Sequence, residues 1–428
     1  METATYGDFS TLVHERQQGR RTPAEVSIEV THRCPLECQH CYNNLPMSDV
    51  NARKQELTFD EHVRLLDELV EMGCLWILYT GGEIFARKDF LDIYTEAKKR
   101  GFLITLFTNG TMITPRIADH LVEYPPFAIE ITLYGATRET YEALTQIPGS
   151  FDRCMKGIRL LMERNLPLAL KTVPTTVNFH EVYEMKRFAE EDLGVKFKFD
   201  PIVNPRTDCS QSPLAVRLTP EQAVALDFHD PVRVTEYHRL FSDEQAMAHR
   251  SIPDKKYTCG GGHNGCAVDP KGRLTICVLS HQDGYDTRSG SFQQGWDGRM
   301  QEIRDTPASR RTICTDCQIR SLCSMCPANG ELESGDAETP VEFLCEVAHL
   351  RAFTLGLQVP EHGEGKCPCC EGGKRHDDLQ QSAQRLQKNT PVMEPIVPKL
   401  PSSFLPVLQS SSGGCSSGGC TACTSHLK

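Results

Sequence analysis

The stretch Thr31-His32-Arg33-Cys34-Pro35-Leu36-Glu37-Cys38-Gln39-His40-Cys41-Tyr42 begins where the apolar run VSIEVT (26–31) ends. It presents three thiols, Cys34, Cys38 and Cys41, within eight residues. A cubane iron–sulfur cluster normally takes one Cys on each of its four irons. Three thiolates therefore leave one iron open, much as catalytic zinc sites keep one position free. A structural zinc site would instead join a Cys-x2-4-Cys pair to a second pair, and no fourth ligand stands near this triplet. A loop of this kind directly after a strand belongs at the carboxyl end of a parallel sheet, where α/β folds place their chemistry.

Further strand candidates follow outward from it: LWILYT (75–80), FLITLFT (102–108), AIEITLY (128–134), LALKTV (168–173) and FKFDPIV (197–203). Helix candidates lie between them. In TFDEHVRLLDELVEMG, Phe59, Val63, Leu66, Leu69 and Val70 recur at helical spacing. Other helices are expected to begin near Lys88, Pro115, Thr137, Phe151 and His180. Six βα repeats imply a parallel sheet with right-handed crossovers, two units short of a closed barrel. The expected fold class is α/β: an N-terminal extension (1–23), then a partial (β/α)6 TIM-type barrel (24–203). A helical linker (204–258), with a helix start at Thr219-Pro220-Glu221, leads to a small cysteine-rich iron–sulfur domain (259–354). From 355 to 428 Pro, Gly, Ser and Gln dominate, and the segment reads as a largely disordered Cys/Gly/Ser-rich tail.

Composition narrows the function classes. The 428 residues carry 46 basic and 57 acidic side chains, net charge −11, with no basic runs, which argues against a nucleic-acid partner. No apolar stretch reaches the ~18 residues of a membrane span. The first residues, METATYGDFSTLVHERQQGRR, lack a signal-peptide h-region, so a cytoplasmic location is expected. In a reducing compartment, 20 cysteines point to metal or catalysis rather than to disulfides. Cys74 and Cys154 read as small buried hydrophobes, and Cys209, in a polar loop, less plainly so. The others cluster at 34–41, 259–345 and 367–423.

The first motif resembles the signature of the radical S-adenosylmethionine (SAM) superfamily, with His40 in the place usually aromatic before the third Cys. The resemblance implies a [4Fe-4S] cluster on Cys34, Cys38 and Cys41, with SAM on its open iron and a 5′-deoxyadenosyl radical as the product of SAM cleavage. Gly81-Gly82-Glu83 after the second strand is similar to the family's GGE motif, which holds the SAM ammonium. By the same resemblance Thr108, Asn109, Thr132 and Lys171 are candidates for the SAM carboxylate or ribose, and the backbone near Tyr42 for adenine. Thr108-Asn109-Gly110 also reads as an ordinary turn.

Downstream, Cys259 is followed by twelve residues, Gly272, four residues and Cys277, then Cys314-x2-Cys317-x5-Cys323-x2-Cys326 and Cys345. This resembles the SPASM extension of radical SAM enzymes, with Cys323 to Cys326 one residue shorter than usual. The resemblance implies two auxiliary [4Fe-4S] clusters, three in all. One would sit on Cys259, Cys266, Cys277 and Cys326, and the other on Cys314, Cys317, Cys323 and Cys345. Two zinc ribbons are the alternative. Full ligation would favour electron transfer as the auxiliary role.

Most SPASM-bearing enzymes modify peptides or proteins, so a peptide maturase forming thioether or carbon–carbon crosslinks, or a related oxidation, is the leading expectation. A flavodoxin- or ferredoxin-type reductant is implied with it. Sulfatase-type formylglycine formation is weakened by Val278, where those maturases carry Asp. Tetrapyrrole (heme) side-chain modification and a non-enzymatic iron–sulfur carrier are the rivals. The tail cysteines Cys367, Cys369, Cys370, Cys415, Cys420 and Cys423 suit incidental metal affinity, a further metal site, or a fused substrate-like peptide. Asp200 and Asp208 after the sixth strand are acid–base candidates, although acidic loop residues are usually solvated.

Overall fold

The computed structural model describes residues 6–17, 19–247, 255–363 and 366–393. Its core is one sheet. Strands β1 (Glu25–Glu29), β2 (Trp76–Thr80), β3 (Leu103–Thr108), β4 (Ala128–Thr132), β5 (Leu168–Thr172) and β6 (Lys196–Phe199) run parallel, each beside the next. These are the six expected strands. The sixth stops at Phe199 because Pro201, which has no N–H to give, follows at once.

Helices α1 (Phe59–Glu71), α2 (Phe90–Lys99), α3 (Pro115–Glu123), α4 (Arg138–Thr145) and α5 (Ser150–Met162) fill the crossovers. Their starts are written locally. Thr58 and Glu61 form a reciprocal capping box, and Thr114 and Thr137 accept from backbone N–H groups in the first turn. On α1 the buried side chains are His62, Leu65, Leu66 and Leu69, while Val70 is exposed. The inward stripe is therefore offset from the one read in the sequence.

Strand alternation sorts the sheet into two faces. Val26, Ile28, Ile77, Tyr79, Ile104, Leu106, Ile129, Ile131 and Leu170 are buried in the main apolar core with the helices. Burying each contributes about 1.5–3 kcal/mol. The alternate residues lie on the opposite face, where Ser27, Glu29, Thr105, Glu130, Thr132, Lys171 and Lys198 make it largely polar around Leu78 and Phe107.

Three strands extend the sheet beyond β1. Strands β7 (Gly265–Val268), β8 (Arg273–Thr275) and β9 (Tyr285–Asp286) give the order β9-β8-β7-β1-β2-β3-β4-β5-β6. β7 pairs in parallel with β1, from Glu25↔Gly265 to Ile28↔Val268, and β8 returns antiparallel. The cysteine-rich region is thus joined to the barrel through the same sheet. Helices α6 (Pro220–His229), begun by a Thr219–Gln222 capping box, and α7 (Pro231–Met247) precede it. Helices α8 (Pro327–Ser334) and α9 (Glu342–Thr354) carry its second half.

Part of the segment from residue 355, expected as a largely disordered tail, is structured. Cys367, Cys369 and Cys370 are buried, and α10 (His376–Asn389) packs on α9 with Leu379 and Ala383 inward. A polar composition hid this, because thiols rather than aliphatic side chains fill the contact. Cys415, Cys420 and Cys423 lie outside the described residues. Among the described residues no helix is long and apolar enough to cross a membrane.

Candidate active site and cysteine centres

The loop after β1 is fixed from several directions. Arg33 donates to both carboxylate oxygens of Glu56 at 2.8 and 3.0 Å, and both side chains are buried. The N–H groups of Glu37 and Gln39 donate to Thr145 and Leu144 carbonyls at the end of α4. Arg206 donates to the Cys41 carbonyl at 3.2 Å and to Asn44 Oδ1 and O at 2.8 Å each. Inside this frame the thiols of Cys34, Cys38 and Cys41 are one another's electrostatic neighbours. Burial raises the pKa of all three, so they stay protonated until a metal offsets the thiolate charge. His40 packs 5.3 Å from the Tyr134 ring, and burial lowers its pKa to about 4, keeping the imidazole neutral.

The glycines after β2 have a steric cause. A side chain at Gly81, where φ is +128°, or at Gly82 would collide with the Thr31 and His32 carbonyls that lead into the cysteine loop. Gly82 N–H donates to Thr31 O at 2.7 Å and Glu83 N–H to Arg33 O at 3.0 Å. Glu83 then accepts from Thr108 Oγ1 at 2.7 and 2.9 Å and from Asn109 N–H at 2.8 Å. Asn109 Nδ2 sits 3.5 Å from Cys34 Sγ. The GGE loop, the turn after β3 and the first cysteine are therefore one hydrogen-bonded unit. Burial raises the Glu83 carboxyl to about 7, against the opposing effect of the Thr108 and Asn109 donors.

The remaining candidates are less alike. Thr132 lies on the polar face of the sheet beside Lys171 on the neighbouring strand. Lys171 Nζ is 3.3 Å from Glu130 and 2.7 Å from the Phe107 ring centroid, and burial lowers its pKa to about 7. Its ammonium is already engaged. The Tyr42 carbonyl accepts from Thr207 N–H at 2.9 Å, and its ring packs with Leu279, Ala328 and Leu332. Asp200 is buried, with its carboxyl raised to about 6, whereas Asp208 is exposed and bonded locally to Ser210. Two contributors escaped the sequence reading. Glu29, at the carboxyl end of β1, accepts from Asn43 Nδ2 at 2.6 Å, and alternation in VSIEVT already turned it away from Val26 and Ile28. Arg206 had no such signal.

The downstream cysteines fall into two separate groups. The thiols of Cys259, Cys277 and Cys326 are neighbours, and Cys209 packs into the same small cluster as Cys277 and Cys326. Cys266 does not join them. Its register opposite Val26 turns it into the barrel core, where its neighbours are Cys74, Arg21 and Glu25. A spacing in sequence cannot show which face of a strand a thiol takes. Cys314, Cys317, Cys323 and Cys345 all line one small cavity with Ile313, Ile319, Met325, Val341 and Ala348, and His349 and His362 lie on its wall. Four thiols around one largely apolar space suit a four-iron cluster. Cys74 and Cys154 are buried core residues, as expected.

Residues 28–189 match the Radical SAM superfamily. The AdoMet-dependent heme synthase of Methanosarcina barkeri (strain Fusaro / DSM 804) is 25% identical over 331 residues, 73% of this chain and 94% of that protein. The antilisterial bacteriocin subtilosin biosynthesis protein AlbA of Bacillus subtilis (strain 168) is 25% identical over 325 residues, 72% of this chain and 68% of that protein. Streptococcus suis SuiB, solved bound to precursor peptide SuiA, shares the fold with a TM-score of 0.55 at 16% identity, covering 79% of this chain and 81% of that one.

Proposed function

We propose that this chain, whose residues 28–189 form a radical SAM domain, cleaves SAM reductively and abstracts hydrogen from a peptide or protein substrate. The observation that carries the reading is the single unit made by Cys34, Asn109, Glu83 and the Gly81-Gly82 turn. A [4Fe-4S] cluster on Cys34, Cys38 and Cys41 supplies the electron that breaks the SAM sulfonium bond. Glu83 would orient the SAM ammonium, and Thr132, opposite Lys171 on the neighbouring strand, would face its ribose or carboxylate. Lys171, held by Glu130, keeps that face of the sheet polar.

In this reading Cys259, Cys277 and Cys326 would hold one auxiliary cluster and Cys314, Cys317, Cys323 and Cys345 another, and these two would accept the electron left on the substrate after hydrogen abstraction. A flavodoxin- or ferredoxin-type protein would reduce the first. The peptide substrate is supported by the likeness to AlbA and by the polar face of the sheet, since Glu29, Glu130 and Lys171 match peptide amides better than a flat apolar macrocycle. A second reading, tetrapyrrole side-chain modification, is favoured by the heme synthase that aligns over 94% of its length. Lys171 and Lys198 would then face propionates.

The test is anaerobic incubation with SAM, dithionite and either a cysteine-rich peptide carrying residues 410–428 or an iron coproporphyrin. Loss of two hydrogens from the peptide supports maturation. Loss of carbon dioxide from the porphyrin with an unchanged peptide overturns it in favour of the second reading.

A further inference from the structure

At the edge of the cavity lined by Cys314, Cys317, Cys323 and Cys345 stand His349 and His362, which also line it, and they face two thiols with no part in the chemistry above. His349 projects from α9, His362 lies in the loop after it, and Cys367 and Cys370 occupy the turn before α10. All four are buried, and their ligand atoms lie within 4.8 Å of one another. His349 Nε2 is 3.8 Å from Cys367 Sγ and 3.5 Å from Cys370 Sγ. The His362 ring nitrogens are 3.5 and 3.8 Å from Cys370 Sγ. In a tetrahedral zinc site, with Zn–S of ~2.3 Å and Zn–N of ~2.0–2.1 Å, the S···N edge is ~3.5 Å. The His349–Cys367, His349–Cys370 and His362 Nε2–Cys370 separations, 3.8, 3.5 and 3.8 Å, lie near that figure.

The imidazoles are set for this role by what lies behind them. His349 Nδ1 is 2.9 Å from the Cys345 carbonyl, and His362 Nδ1 is 3.0 Å from the Pro360 carbonyl. A carbonyl only accepts, so each Nδ1 carries the proton and each Nε2 keeps its lone pair for a metal. The turn Cys367-Pro368-Cys369-Cys370 is closed by Cys370 N–H to Cys367 O and Gly373 N–H to Cys370 O. A side chain at Gly373 would strike the Pro368 carbonyl.

We infer that His349, His362, Cys367 and Cys370 bind one Zn²⁺ in a closed four-coordinate site that fastens residues 366–389 onto α9. Binding releases the two thiol protons, and two thiolates neutralise the divalent ion, so no net charge is buried. A second cubane does not suit the group, because cubane thiolates stand on separate irons while these four atoms enclose room for one ion. The neighbouring trio Cys345, His349 and Cys369 offers only three ligands and shares His349. Cys345 lines the cavity shared with Cys314, Cys317 and Cys323, as His349 and His362 also do, and only the four-atom group with Cys367 and Cys370 completes a tetrahedral set. The zinc replaces the apolar core that this segment lacks, since α10 brings only Leu379, Ser382 and Ala383 fully inward.

The test is zinc and iron quantitation, with zinc X-ray absorption, on the full chain purified and kept anaerobic. One zinc per chain with two sulfur and two nitrogen neighbours is expected. Cys370→Ser and His362→Gln, made separately, should each weaken zinc retention against a chelator about tenfold or more and leave the iron content unchanged. His362→Gln keeps a polar side chain in the loop and so guards against simple misfolding. Absence of zinc from the wild type, an all-sulfur zinc shell as in an unfilled cluster site, or iron lost together with zinc overturns the assignment.

Discussion

The loop at 34–41 and the region from 259 to 370 both gather thiols, but they rest on different foundations. The first sits on a sheet backed by a continuous aliphatic core, from Val26 and Ile28 through Leu106 and Ile131 to Leu170. In the second, Phe292, Trp296, Met300, Ile303, Val347 and Leu350 join that same core, while the residues around Cys277 and the 314–345 thiols fall into small clusters. One is Ile319, Leu322, Ala348 and Ala352, another Leu279, Ala328 and Leu332, a third Ile202, Val341 and Leu344, and each has cysteines packed against it. A sheet with that much buried apolar surface holds its fold without metal, whereas clusters of three or four side chains do not. On the proposed ligand sets, metal would be an addition to the barrel and part of the fold around the 314–345 thiols.

The strongest test of that contrast replaces the two sets in turn. Cys34, Cys38 and Cys41 changed together to Ala should abolish 5′-deoxyadenosine formation and remove about four irons, with circular dichroism and protease resistance of the barrel unchanged. Cys314 and Cys317 changed to Ala should leave the barrel protected but open residues 314–345 to limited proteolysis. Equal protease sensitivity in both variants would break the comparison.

Next in size is the frame of the first loop. Arg33→Ala strands the buried Glu56 carboxylate and should cost about 3–5 kcal/mol, read by urea unfolding of the cluster-free protein. A third expectation concerns pH. Burial raises the Glu83 carboxyl to about 7, so its charged form gains population as pH rises through that value. The SAM ammonium pairs only with the carboxylate, and SAM affinity should climb about tenfold between pH 6 and 8. Glu83→Gln should flatten the profile, as titration with SAM at each pH would show. The smallest effect belongs to Cys266→Ala. Iron content should not change, and stability should fall by only about 1 kcal/mol from a small core vacancy.

The barrel was readable because its strands are contiguous apolar runs, and the GGE and TNG turns fall at their ends. The edge strands β7–β9 were not. They are only two to four residues long, and β7 finds its partner β1 some 240 residues earlier in the chain. Cys266 was misplaced for the same reason, since its spacing fits a ligand while its register buries it. Arg206 acts through the carbonyl of Cys41 and Asn44, a contact that no local pattern announces. The turn at 367–370 was hidden in a polar stretch, because thiol burial leaves no hydrophobic period to read.

The central claim is that the thiols of Cys34, Cys38 and Cys41 hold a cluster that cleaves SAM. The most direct measurement is 5′-deoxyadenosine released from SAM by reconstituted, dithionite-reduced protein, beside the variant lacking those three thiols. Product from the wild type and none from the variant is predicted. No product from wild type that carries its full iron content would contradict it.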